Sequence, residues 1–170
     1  MTATAKVAQN PSFKIIEAPH RDPDDRGPTN PSIFLGGSII DGWQKKLSAS
    51  LYDLPITILN PLREDWEAIG VEDISNPAFR EQTDWELDMQ CQASLVVIYF
   101  AAETKAPVSL LELGLATAKA PESVLVCCPK GFWKKGNVDV VCSRFGISVL
   151  ERLDEVENVV RERIGKMIDL

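Results

Sequence analysis

From residue 32 onward, short continuous apolar runs alternate with segments whose apolar residues recur at helical spacing. Such runs are typical of strands buried on both faces, and the i, i+3, i+4, i+7 spacing is typical of amphipathic helices. Alternating strands and helices indicate a parallel sheet covered on both sides. We therefore predict an α/β three-layer sandwich of about five parallel strands, flavodoxin-like or Rossmann-like in order. The strands are predicted at residues 33–35, 56–59, 95–100, 124–128 and 147–150, with helices at about 40–51, 77–92, 107–120, 138–145 and 156–167. The second of these helices has Ser75-Asn76 as its start signal and Pro77 at the first helical position.

The first 31 residues have a different character. They are rich in proline and aspartate, a composition that favours a flexible lead-in. Within them, residues 13–16 form a possible edge strand. At 170 residues the chain has the length of one domain. The predicted organisation is thus a flexible N-terminal segment over 1–31 and one domain over 32–170.

The charge and composition of the chain limit the classes of molecule that it is expected to bind. The formal net charge of −7 argues against binding a nucleic acid polymer, which requires a basic surface. No apolar run approaches the roughly 20 residues of a membrane helix, and the N-terminus lacks the pattern of a secretory signal. We expect a cytoplasmic protein that binds a small molecule and does not bind a membrane.

Few side chains are available for catalysis. The four cysteines contain no C-x-x-C pair, and Cys127 and Cys128 lie in an apolar run, so buried free thiols are predicted. His20 is the only histidine, which leaves nothing for a histidine triad or a histidine metal site. Carboxylates must carry any acid–base chemistry. No metal ion or redox cofactor is implied.

In a parallel α/β sheet, ligands bind beyond the carboxyl ends of the strands. That rule selects residues 36–38, 60–66, 129–137 and the segment before Glu112. Gly36-Gly37-Ser38 either presents backbone amides to an anion or a sugar hydroxyl, or forms a tight turn with Ser38 as the cap of the next helix. Neither G-x-G-x-x-G nor a Walker lysine is present, so a dinucleotide or ATP site is not supported.

Glu112 carries the main functional hypothesis. Ser109-x-x-Glu112 matches a capping box, in which Glu112 would reach back to a backbone amide. Alternatively, the positive end of the helix would favour an ionised carboxylate able to attack an electrophilic carbon. Spacing alone does not separate these interpretations.

A second carboxylate lies on the preceding helix. Glu86 shares a polar stripe with Gln82, Thr83 and Gln90, which is either a site or a solvated face. Trp85 is either core or a ligand contact. Aromatic and basic residues after two strands either frame a pocket or structure their loops: Arg63, Trp66, Phe132 and Trp133.

Together these motifs resemble the nucleoside 2-deoxyribosyltransferase family, in its branch of short single-domain members. The resemblance spans roughly residues 32–150. It is carried by Phe34-Leu35-Gly36-Gly37-Ser38, Asn60-Pro61-Leu62-Arg63, Gln82-Thr83-Asp84-Trp85-Glu86, Val97-Ile98-Tyr99-Phe100, Glu112-Leu113-Gly114 and Phe132-Trp133-Lys134-Lys135-Gly136-Asn137-Val138.

The resemblance implies a two-step transfer through a covalent glycosyl-glutamate. Glu112 matches the nucleophile, and Glu86 matches an acidic residue beside the base that assists proton transfer. A nucleoside and a free nucleobase are the implied ligands, and no cofactor is implied. Trp133 and Asn137 suggest a homodimer or a larger homo-oligomer. The residues expected to bind substrate are Gly36, Gly37, Ser38, Asn60, Arg63, Gln82, Trp85 and Asn137.

Two departures from the family keep alternatives open. Ser94 stands where the family commonly has an aspartate, and Lys105-Ala106-Pro107 precedes the glutamate motif where a second acidic residue is usual. One alternative is an N-glycoside hydrolase acting on nucleosides or nucleoside 5′-monophosphates, with Gly36-Gly37-Ser38 and Arg63 holding a phosphate. The other is a non-catalytic nucleotide-binding module.

Overall fold

The strands and helices follow the predicted order. A computed structural model describes residues 8–21 and 28–169. Residues 1–7 and 22–27 of the predicted flexible segment lie outside the described residues. Within the described residues the strands are β1 (Lys14–Glu17), β2 (Ser32–Gly37), β3 (Thr57–Asn60), β4 (Leu95–Tyr99), β5 (Val124–Cys127) and β6 (Val149–Leu150). The α-helices are α1 (Trp43–Ser50), α2 (Pro77–Gln92), α3 (Pro107–Lys119), α4 (Lys135–Arg144) and α5 (Val156–Ile168).

All the described strands pair in parallel, in the order β1-β3-β2-β4-β5-β6. With β1 set aside, this is the 2-1-3-4-5 order of flavodoxin-like sheets. The predicted fold class is therefore confirmed. The sheet has one strand more than the five of the domain because β1 adds to the outer edge of β3, with Lys14 opposite Thr57.

The sheet separates two hydrophobic cores. Because successive strand residues point to opposite faces, Phe34 enters one core while Ile33 and Leu35 enter the other. The first core is closed by α2, α3 and α4, which contribute buried side chains such as Trp85 and Leu113. The second is closed by α1 and α5, and together the helices and sheet make three layers.

This topology brings three loops together. Strand β2 is hydrogen-bonded to β3 on one side and to β4 on the other, so their carboxyl ends lie side by side. The loops over residues 38–42, 61–76 and 100–106 therefore leave the sheet at adjacent positions. Open α/β sheets bind their ligands at this end of the strands, the carboxyl end. None of the helices in the described part of the chain is both long and apolar enough to cross a membrane.

Candidate active site

A cleft of about 440 Å³ opens at this edge of the sheet. Its walls come from the β2–α1, β3–α2 and β4–α3 connections and from the first turns of α3. A volume of this size is within the range of small-molecule sites. The cleft is lined by Gly36, Gly37, Ser38, Ile39, Gln44, Pro61, Leu62, Trp66, Glu72, Phe79, Thr83, Glu86, Thr104, Ala106, Pro107, Val108, Ser109, Leu111 and Glu112.

Glu112 lies in the second turn of α3 and faces the cleft. The capping-box interpretation is wrong because α3 begins at Pro107, so its N-cap is Ala106 and Ser109 is the third helical residue. No side chain caps this helix. Instead, the N-cap residue Ala106 adopts the left-handed conformation (φ 39°, ψ 54°). A Cβ placed on Gly36 would lie 3.7 Å from Glu112 Oε2, so the carboxylate sits directly over the strand end.

The electrostatic environment of Glu112 differs from the expectation. Burial, and then the nearby Glu86 carboxylate, raise the pKa of Glu112 to about 8. The positive end of α3 was expected to favour the ionised form, but the loss of hydration outweighs that effect. In the unliganded cleft Glu112 therefore holds a proton near neutral pH.

Glu86 faces the same cleft from α2. Gln82 Nε2 donates hydrogen bonds to Glu86 Oε1 (2.8 Å) and to the carbonyl of Pro61 (2.9 Å). Gln82 is buried and does not line the cleft, so its role is to fix Glu86 against the β3–α2 loop. Burial raises the pKa of Glu86, while the bond from Gln82 opposes that rise. The cleft thus contains two carboxyl groups that bind protons more tightly than usual.

The Gly36-Gly37-Ser38 turn forms the floor. Gly37 has φ 117°, and a Cβ there would lie 2.1 Å from the carbonyl oxygen of Tyr99, so only glycine fits. Ser38 is not a helix cap, because α1 begins at Trp43 with Gly42 as its N-cap. Instead the Ser38 amide donates to Tyr99 O (2.7 Å), which ties the ends of β2 and β4 together.

The hydroxyl groups at this floor are already paired. Ser38 Oγ accepts the Ala101 amide (2.9 Å) and lies 2.5 Å from Thr104 Oγ1. Thr104 Oγ1 donates its proton to Ala101 O (3.0 Å), so Ser38 must be the donor between the two hydroxyls. Neither hydroxyl retains a free proton for a ligand.

Of the residues expected to bind substrate, Gly36, Gly37 and Ser38 line the cleft, and Asn60 and Arg63 do not. Asn60 is buried and accepts the Leu62 amide (3.2 Å), which shapes the loop behind the cleft wall. Arg63 pairs with Asp65 through two hydrogen bonds of 2.8 and 2.9 Å.

Trp85 and Asn137 also lie outside the cleft lining. The Trp85 ring is fully buried in the core, and its Nε1 donates to the carbonyl of His20 (2.7 Å). Asn137 is exposed in the first turn of α4. Its surface position leaves it accessible to another molecule.

Several lining residues escaped the sequence analysis. Thr83, named in the polar stripe of Glu86, lines the cleft, whereas Phe79 was missed although it precedes Glu86 by seven residues and could have been found from that spacing. Gln44 and Thr104 gave no such signal, because each enters the cleft only through the packing of a loop or helix end.

The loop before α3 is fixed by a hydrogen bond from Trp133, a residue outside the cleft lining. Trp133 Nε1 donates to the carbonyl of Lys105 (2.8 Å), and Lys134 Nζ lies 4.7 Å from the centre of the Trp133 ring. Thr104 and Ala106, on either side of Lys105, line the cleft. Trp133 therefore supports the cleft wall from the β5–α4 connection.

The fold and site define an α/β sandwich whose paired carboxyl groups face a cleft at the carboxyl edge of its sheet. The sequence model of one family, described as nucleoside 2-deoxyribosyltransferase like, matches residues 30–132. That match covers more than half of the chain, and the protein belongs to this family. No curated protein matches the sequence.

Proposed function

We propose that the protein transfers the sugar of a 2-deoxyribonucleoside to a free nucleobase through a covalent glycosyl-Glu112 intermediate. The observation that carries this proposal is the Glu112 carboxyl, which lies over Gly36 in the cleft with Glu86 close enough to raise its pKa. Membership of the family supports an enzyme of this general type.

In the first step, an oxygen of the ionised Glu112 carboxylate attacks the anomeric carbon. The C–N glycosidic bond breaks, its electron pair moves to the base, and a C–O ester bond forms. Protonated Glu86 donates its proton to the departing base. In the second step, a nitrogen of another base attacks the same carbon, the ester bond breaks, and the incoming base returns its proton to Glu86.

The pKa values suit this exchange. Glu112 must lose its proton before it attacks, and Glu86 must hold one before the base leaves. Because the two carboxyl groups lie in one cleft and each has a raised pKa, a single proton shared between them supplies both requirements. Apolar side chains around Glu86 offer packing for the flat face of a base: Leu62, Trp66 and Phe79.

The cleft favours a nucleoside over a nucleoside 5′-monophosphate. Its lining contains Glu72, Glu86 and Glu112 and, among the described residues, no Lys, Arg or His. The Ser38 and Thr104 hydroxyl protons are already donated within the protein. Arg63, which the phosphate hypothesis required, is paired with Asp65 outside the lining. A phosphate would therefore meet acidic side chains and no compensating cation from the lining.

A second copy of the chain belongs to the proposal. Val108, Leu111 and Leu115 follow one stripe of α3, and their exposed fractions are 57, 66 and 47 %. Val108 and Leu111 also line the cleft, so a partner on this stripe would lie beside the bound ligand. A contiguous exposed apolar stripe favours a protein contact. Asn137, exposed on α4, would then be available to the partner's cleft.

Chromatography of a 2-deoxyribonucleoside incubated with a different free base tests the proposal. We expect the exchanged nucleoside from the wild type and none from Glu112→Ala, while Glu64→Gln, an exposed carboxyl outside the cleft lining, retains activity. The Glu86→Gln variant is expected to lose about 10²–10⁴-fold in rate. Free sugar formed without an acceptor base would instead identify a hydrolase. Ligand binding without any turnover would identify a binding module.

A further inference from the structure

Gln44 is the lining residue whose polarity the proposed chemistry leaves unexplained. It is the second residue of α1 and only 2 % exposed. Its Oε1 has no hydrogen-bond partner among the described residues. A buried amide oxygen without a partner is unfavourable, and a methionine would fill the same space without that cost.

The position of Gln44 relative to the cleft floor is fixed by its neighbour. Trp43 Nε1 donates to the carbonyl of Ser38 (2.8 Å), and the Trp43 ring contacts Tyr99 edge-on at 5.6 Å. These contacts fasten the first turn of α1 to the ends of β2 and β4. Gln44 therefore stands beside the Gly36-Gly37-Ser38 turn.

The same turn defines the part of the ligand that Gln44 meets. Glu112 Oε2 lies over Gly36, so the atom that Glu112 attacks, the anomeric carbon, is held at this turn. Glu86 and the apolar side chains for the base belong to α2 and the β3–α2 loop. Gln44 belongs to α1, which packs on the opposite face of the sheet. Gln44 thus lines the cleft from a different element and a different face of the sheet than the groups expected to hold the base, which favours the sugar as its partner.

We propose that Gln44 is a specificity-determining residue whose side-chain amide accepts a hydrogen bond from a sugar hydroxyl of the bound nucleoside. This inference rests on the proposed function for the identity of the ligand. Ser38 Oγ already accepts the Ala101 amide and Thr104 Oγ1 already accepts the Ser38 hydroxyl, so each keeps at most one acceptor position. Gln44 Oε1 is buried and accepts no hydrogen bond from the described residues, so both of its acceptor positions are unused.

The test combines the substitution of Gln44 with the removal of one hydroxyl group from the ligand. Dissociation constants are measured by calorimetry in the Glu112→Gln background, where no turnover interferes, with and without Gln44→Met. The ligands are a 2-deoxyribonucleoside and its analogues lacking either the 3′- or the 5′-hydroxyl. With Gln44 present, removal of one hydroxyl is expected to weaken binding about tenfold. In the Gln44→Met variant, removal of the same hydroxyl is expected to change binding less than about twofold.

Two further variants keep the test decisive. Gln44→Glu retains an acceptor oxygen and is expected to restore discrimination between the parent nucleoside and the analogue. Gln92→Met makes the same substitution at an exposed position at the end of α2 and is expected to match the unsubstituted background. Thermal unfolding of each variant shows whether it is folded.

The outcomes separate the two proposals. An equal loss of affinity with and without Gln44, or no loss from removing either hydroxyl, overturns the role of Gln44. If the coupling is present but the wild type exchanges no bases, the transferase proposal fails and the role of Gln44 stands. If base exchange proceeds and Gln44→Met discriminates as the wild type does, the transferase proposal stands and the role of Gln44 fails.

Discussion

Two requirements on the charge of Glu112 oppose each other. In its proposed role as a nucleophile it must be ionised, yet its buried position raises its pKa to about 8. Between the ordinary glutamate pKa of 4.5 and about 8, the folded protein holds a proton that the unfolded chain has released. The free energy of unfolding therefore falls as the pH rises through this range. Burial of Glu112 in the cleft therefore lowers the free energy of unfolding at pH values where this residue is ionised in the unfolded chain.

Replacing Glu112 with glutamine should remove that cost. We expect Glu112→Gln to have a free energy of unfolding a few kcal/mol above the wild type at pH values above about 8, with a difference that shrinks toward pH 4.5. Urea unfolding at several pH values measures it, with Glu64→Gln at an exposed position as the control. A difference independent of pH would contradict the raised pKa.

The charge of Glu86 should be detectable through its effect on the pKa of Glu112. Since the negative charge of Glu86 raises the pKa of Glu112, Glu86→Gln is expected to lower that pKa. A carbon NMR titration of the Glu112 carboxyl in both proteins gives the answer directly. An unchanged or higher pKa in the variant would show that the two groups do not interact.

Residue identities could be predicted from the sequence more readily than residue environments. Glu112, Glu86 and the Gly36-Gly37-Ser38 turn were predicted for the site, and all of them line the cleft. The proton held by Glu112 could not be predicted, because it depends on how tightly the folded chain surrounds the side chain and on the approach of Glu86 from another helix. The same holds for Gln44, whose neighbours at the cleft come from distant loops.

Among the secondary-structure elements, local signals set the accuracy of the predicted boundaries. Helix α2 begins at Pro77 as predicted, because Asn76 accepts the Ala78 amide (3.1 Å) and proline suits the first helical position. Helix α3 also begins at a proline, but its cap, Ala106, has a left-handed backbone that alanine rarely adopts. The predicted start of α3 at residue 107 is therefore confirmed, but such a cap has no sequence signature, and the alternative in which Ser109 caps the helix is wrong.

Strand β2 contains a glycine that should tolerate no side chain. In Gly37→Ala the new Cβ would meet backbone atoms of Tyr99 at a strained φ of 117°, and we expect destabilisation of about 3 kcal/mol or more. Gly165→Ala is the matched control, since nothing lies within 4 Å of a Cβ there and helix α5 should gain roughly 0.5–1 kcal/mol. The denaturant concentrations at the midpoints of unfolding compare the stabilities of Gly37→Ala and Gly165→Ala. A mild effect of Gly37→Ala would show that β2 and β4 can separate at this end.

At the scale of the whole molecule, the fold was predictable because the apolar pattern specifies buried strands and covering helices, and parallel order follows from their alternation. Strand β1 confirms the possible edge strand over residues 13–16, but its partner could not be predicted because it pairs with β3 across more than 40 residues of intervening chain. Ser94, a departure from the family, lies at the amino end of β4, where it exchanges hydrogen bonds with Ser32 (3.1 and 3.2 Å). Ser94 therefore lies at the amino ends of the strands, whereas the cleft lies at their carboxyl ends.

The apolar stripe of α3 gives a prediction about assembly. We expect Leu115→Glu to shift the protein toward monomers, because burying a new carboxylate at a subunit contact is unfavourable. Ile168→Glu, on α5 at the other face of the sheet, changes a residue of similar exposure and should leave the mass unchanged. Light scattering after size-exclusion chromatography measures both. A wild type that is monomeric at all concentrations would exclude this contact.

The bond from the Trp133 indole to the Lys105 carbonyl has a consequence for regulation. Lys105 adjoins Ala106, the residue from which α3 departs toward Glu112, and half of the Trp133 surface remains open to other molecules. Any neighbour that displaces this indole would act, through one peptide unit, on the orientation of Glu112, the proposed nucleophile. If that neighbour is a second copy of the chain, the proposed turnover per subunit would vary with protein concentration, and dilution alone would change it.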